Sequence, residues 1–112
     1  MFPLDKIYNM NIALGLKDAR VNAGLRQNVA AKKIRISQTF LSQIETGVKS
    51  PSMETLQKCA KCYGVPIEVI FWFGANEKDV PEKKRPLFRQ LKPIIDQMMK
   101  QLFDQNSADN KN

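Results

Sequence analysis

The stretch QNVAAKKIRISQTFLSQIETG, Gln27 to Gly47, decides how this chain folds. Its first part, Gln27 to Ile34, sets Val29, Ala30 and Ile34 on one side of a helix and Asn28, Lys32 and Lys33 on the other, the spacing of a half-buried helix. Arg35 and Ile36 interrupt that pattern. Ser37 then offers a hydroxyl to an unpaired amide in the first turn of a second helix, and Gly47 offers a left-handed stop at the far end. Between those limits Leu41 and Ile44 point inward, which leaves Gln38, Thr39, Ser42 and Gln43 facing out. This outward set is short, uncharged and rich in amides, unlike the Lys and Glu of a helix face that only solvates. A glutamine pairs with adenine through N6 and N7 together, and a hydroxyl donates or accepts at several bases. The competing reading is an ordinary polar surface, and the register of caps and apolar positions around the set weighs against it.

The run Leu25, Gln27, Ala31, Ile34, Ile36, Ser37, Leu41, Ser42, Ile44, Glu45, Gly47, followed by Pro51, Ser52, Thr55, Leu56, Lys58 and Ala60, resembles the helix-turn-helix domain of the Cro and phage-repressor group, the XRE family. The resemblance spans Asn11 to Phe73. It implies an all-α, five-helix, lambda-repressor-like domain with helix three in the DNA major groove, and an ion pair between Arg20 on helix one and Glu45 at the end of helix three. It also matches Gln27 to the family's phosphate-contacting glutamine, which in the family braces the first residue of helix three, here Gln38. Two positions depart from the pattern. Arg35 stands where the family has a turn glycine, and Arg26 stands where it often has a capping serine.

Composition bounds the rest. A chain of 112 residues, 43% hydrophobic and 26% charged, is sized for one compact domain, and its net charge of +7 favours an acidic partner such as nucleic acid. No segment approaches the roughly 18 apolar residues of a membrane span, and the start lacks the pattern of a secretory leader, so no membrane partner and a cytoplasmic location are expected. Cys59 and Cys62 form a C-x-x-C, yet they fall inside the predicted helix Met53 to Tyr63 and not at its N-terminus, where a reactive thiolate is favoured. With no histidine and no second cysteine pair, a closed zinc site within one chain is excluded, and no metal or other cofactor is expected. Packed thiols are the reading adopted, and no catalytic residues are assigned.

Along the chain, residues 1–10 carry Phe2, Leu4, Ile7 and Tyr8 and read as an arm that packs on the domain or on a partner. The DNA-binding domain is assigned to 11–74. Helix one covers Asn11 to Ala23 and is stopped by Gly24. Helix two opens at Arg26 and Gln27, whose amide-rich end suits a phosphate. Ser37 and Lys49 complete the expected phosphate contacts, whereas Lys32, Lys33 and Arg35 fit a DNA flank and a solvated face equally. Ser52 caps helix four. Helix five follows Gly64, with Pro66 in its first turn and Ile67, Ile70 and Phe71 in the core, which leaves Trp72 and Phe73 in surplus.

Residues 75–86, ANEKDVPEKKRP, turn abruptly to charge and proline and read as a linker. Beyond them, 87–103 form an amphipathic helical segment in which Phe88, Leu91, Ile95, Met98 and Leu102 step by three and four. Pro93 implies either a kink or two helices. The stripe, with Trp72, is expected to join two copies of the chain, the alternative being that it folds back on its own domain. Residues 104–112 are expected to be disordered. The expected function is a dimeric, sequence-specific repressor of a palindromic operator in double-stranded DNA. An antitoxin-type module that binds a small protein partner through the C-terminal helix, and a thiol oxidoreductase, are the rivals from other classes.

Overall fold

The computed structural model describes residues 11–104; the expected arm at 1–10 and nearly all of the expected tail lie outside the described residues. The described chain is all-helical: α1 Ile12–Asn22, α2 Gln27–Ile34, α3 Gln38–Glu45, α4 Met53–Tyr63, α5 Ile67–Phe73 and α6 Arg85–Leu102, with two 3₁₀ turns, Glu77–Asp79 and Glu82–Lys84, between α5 and α6.

Local chemistry sets most of these limits. Asn11, Ser37 and Ser52 each accept a hydrogen bond from the amide three residues on, at Leu14, Phe40 and Thr55, so three helices begin where a short polar side chain satisfies an orphan donor. Gly64 closes α4 at φ 69°. Pro66 serves as the residue before α5 and not as part of its first turn, a shift of one position from the sequence expectation. Arg35 closes α2 in the left-handed region at φ 68°, a conformation that costs a side-chain-bearing residue about 1 kcal/mol relative to glycine.

The five short helices enclose one core, in which Leu16, Leu41, Ile44, Cys59, Tyr63 and Ile70 are fully buried. In α2 the inner face is Ala30, Ala31 and Ile34, and Val29 is rotated out, 39% exposed. In α5 the buried positions are Val69, Ile70 and Phe73; Ile70 is in the core as expected, whereas Ile67 and Phe71 are only half-buried and Val69 and Phe73 are buried instead. α1 and α5 meet backbone to backbone. A Cβ on Gly15 would collide with the carbonyl oxygen of Ile70, and the amide of Asn11 donates to the carbonyl of Gly74 at 3.1 Å.

Residues 75–86 are more ordered than a linker. Asn76 accepts from the Lys78 amide at 2.9 Å while the Asp79 carboxylate accepts from the Asn76 amide at 2.8 Å, a reciprocal cap. Arg85 and Arg89 of α6 both bond to Glu77, through its carbonyl and its carboxylate respectively, each at 3.0 Å. α6 passes through Pro93 as one helix, neither divided there nor delayed to residue 87. One side of it returns to the domain. Lys92 pairs with Asp96 at 2.8 Å, donates to the Phe73 carbonyl at 3.4 Å and lies 5.2 Å from the Trp72 ring, while Asn22 donates to the Lys100 carbonyl at 3.3 Å.

The fold-back divides the stripe expected to join two chains. Trp72 packs on Phe88 of its own chain, ring centres 5.9 Å apart, and with Val80 and Ile95 these residues line an apolar groove of about 270 Å³. The outer side of α6 stays uncovered among the described residues, with Leu87, Leu91, Ile94, Met98 and Leu102 between 41% and 73% exposed.

Candidate nucleic-acid interface

α3 has one buried side and one open side. Leu41 and Ile44 sit in the core, and Gln38 and Thr39 are exposed on the first turn with Ser42 and Gln43 half-buried behind them. No carboxylate or cation belongs to that open face. The Ser37 hydroxyl accepts from the Phe40 amide at 3.0 Å and keeps its own proton for an outside acceptor.

The orientation of α3 is fixed from behind by a buried charge. Arg20 Nε donates to Glu45 Oε2 at 2.7 Å and Nη2 to Oε1 at 3.0 Å, a two-point pair whose side chains are 11% and 2% exposed. Arg20 Nη1 also donates to the Leu25 carbonyl at 2.8 Å. Gln27 Nε2 adds a third donor to Glu45, at 3.1 Å on Oε1. α1, α2 and the end of α3 are thereby tied at one carboxylate, and the loop into α2 is tied to the same arginine. The Gln27 amide nitrogen thus turns toward the buried charge, a stronger acceptor than a neutral amide.

α2 begins at Arg26 without any side-chain cap, so the amides of its first turn have no acceptor within the helix. Arg26 is exposed beside them. Lys49 lies in the loop after α3, its ammonium 6.0 Å from the Phe40 ring centre, and its amide donates to the Gln43 carbonyl at 3.1 Å, which holds the loop against the helix end. Lys33 and Arg35 line a cleft with Lys58 and Lys61 where the ends of α2 and α4 converge. Cations there offset the carbonyl ends of both helices. Sequence reasoning passed over Thr46 and Val48, both exposed just beyond α3, with Val48 at 71%. A solvent-facing valine in a loop carries no periodic signal.

The cysteines lie on the second half of α4. Burial pushes the Cys59 thiol up to about 11 and raises Cys62 as well, the reverse of what a reactive thiolate needs. No group of side chains suited to holding a metal ion occurs among the described residues.

Residues 16–70 match the helix-turn-helix family. Over 88 residues the chain is 31% identical to RstR, the cryptic phage CTXphi transcriptional repressor of Vibrio cholerae, an alignment that covers 79% of this chain and 78% of that protein. The chain belongs to the helix-turn-helix family of Cro and phage-repressor type. ImmR, an HTH-type transcriptional regulator of Bacillus subtilis, is 30% identical over 98 residues, 88% of this chain and 72% of the relative. DdrOP3 of Deinococcus deserti, another HTH-type transcriptional regulator, is 38% identical over 58 residues, 52% of this chain and 45% of the relative. No solved structure gives a significant match. The family is one of DNA-binding transcription regulators and not of enzymes, and this helix-turn-helix protein is a member of it. None of its helices is long and apolar enough to cross a membrane, among the described residues.

Proposed function

We propose that this protein is a dimeric repressor that reads a two-fold symmetric operator through the major groove. The observation that carries the proposal is the open, uncharged face of α3, with Gln38 and Thr39 exposed on a helix whose angle is held by a buried ion pair. Gln38, Thr39, Ser42 and Gln43 meet base edges, where amides and hydroxyls distinguish base pairs by donor and acceptor pattern. Arg26, Gln27, Ser37 and Lys49 hold phosphates on either side, through the uncapped start of α2 and the loop after α3, and set register without reading sequence. The net charge of +7 supports a partner of opposite sign. Two copies present two α3 helices about 34 Å apart, one turn of B-DNA, and occupancy blocks polymerase.

A second reading rests on the uncovered side of α6, which also fits a small protein partner. Selection of bound sequences from a random DNA pool at two salt concentrations tests the main proposal. Two inverted half-sites about one helical turn apart are expected. Recovery of sequences with no shared half-site would overturn it.

A further inference from the structure

We infer that two copies of the chain pair through antiparallel α6 helices, Leu87 against the partner's Met98 and Leu91 against the partner's Ile94. This rests on the dimeric reading above and adds direction and register to it. Leu87, Leu91, Ile94 and Met98 are 50%, 41%, 57% and 62% exposed, and with Leu102 at 73% they leave on the order of 500 Å² of apolar side chain in solvent. That is at the upper end of what a lone domain carries, so the face calls for a cover.

The spacing of the four residues says what kind. Steps of four, three and four place them on one seam of a helix, and the series reads the same from either end. A two-fold contact requires each residue to meet its mate reciprocally, and an antiparallel copy satisfies this with four matched apolar contacts.

Charge selects the direction. The N-terminal end of α6 follows Lys83 and Lys84, both exposed, so a parallel pair would bring two such pairs of cations together in addition to aligning two helix dipoles. The antiparallel pair sets each cluster at an opposite end of the interface. It also carries the partner's Leu102 past Leu87 toward the groove lined by Trp72, Val80 and Phe88, whose mouth is continuous with the stripe. On the flank away from the groove, Gln90, Gln97 and Gln101 are exposed and uncharged.

Single-cysteine pairing without DNA tests the register, on a Cys62→Ser background so that no half-exposed native thiol competes. In the antiparallel pair the two Leu87 positions lie about 16 Å apart along the helix axis, beyond the ~7 Å that a disulfide spans between Cα atoms. Leu87→Cys alone should therefore stay uncrosslinked under mild oxidation, and an equimolar mixture of Leu87→Cys with Met98→Cys should give the mixed disulfide as its main product. Ready self-crosslinking of Leu87→Cys would mean parallel helices and would overturn the inference while leaving a dimer. A monomeric mass by sedimentation at tens of micromolar would overturn both this inference and the dimeric part of the function, whereas the DNA selection reports on base reading separately. A stable complex with a different protein that excludes self-association would also overturn it.

Discussion

A carboxylate on a side chain 2% exposed and held by three donated hydrogen bonds is costly to dismantle by halves. Glu45→Ala strands the Arg20 guanidinium in a largely dry site, and the expected loss is about 3–5 kcal/mol, read as a lower midpoint in urea or heat. Base preference, measured below that midpoint, should change little, since Glu45 does not belong to the open face. Gln38→Ala has the opposite signature: a loss of about 1–3 kcal/mol on the selected sequence with non-specific binding almost kept. Equal loss on selected and random DNA would remove Gln38 from base reading. The open face was legible because Leu41 and Ile44 fix the phase of the helix, and every other position follows from that phase. The bond from Gln27 to Glu45 was not legible, since two polar residues far apart in sequence carry no common period. Arg35 is a middle case: its place between two helices announced a turn, and only the coordinates give its φ of 68°.

At the scale of elements, α1 and α5 are held closer than side chains normally allow. Gly15→Ala places a methyl group against the Ile70 carbonyl, where backbone and not a pliable side chain must give way, so a destabilisation of at least about 1–3 kcal/mol is expected, measurable by chemical unfolding. Where α6 returns to the domain, Asp18 of α1 comes near Lys100 and Lys92, and its pKa is raised above 3.8 by burial, a shift those lysines partly oppose. A carboxyl whose folded value is raised favours the folded state while protonated, and that contribution fades as pH climbs through the raised value. Asp18→Asn should accordingly flatten the stability curve in the range above 3.8, and an unchanged slope there would show that the shift carries no weight. Caps made the ends of most helices readable from sequence. The Asn76 to Asp79 turn was hidden by its charge and proline content, although its capping residues stand at the usual spacing. At Pro93 the alternatives were a kink or two helices, and the chain runs on as one helix, because an exposed proline removes one hydrogen bond without obliging a helix to end when flanking contacts hold both halves.

For the whole molecule, electrostatics gives the most direct check. If a dimer on its operator neutralises about eight phosphates, log affinity should fall with log salt at a slope near −7, by the rule of about −0.9 per phosphate. A slope near zero in a filter or fluorescence titration would be incompatible with phosphate clamping by Arg26 and Lys49. Fold class was readable because α1 to α5 are defined by local phase and caps. The return of α6 was not, since whether an amphipathic helix covers its own domain or a neighbour depends on which surfaces remain free after folding. In the structure one side of that helix returns to its own domain, and the other side stays exposed. The bond network at Glu45 has a further effect. Because the angle of α3 is locked before any ligand arrives, little conformational freedom remains to be lost on docking, so the rate of association should be governed by encounter and charge steering, with no slow refolding step in a stopped-flow trace.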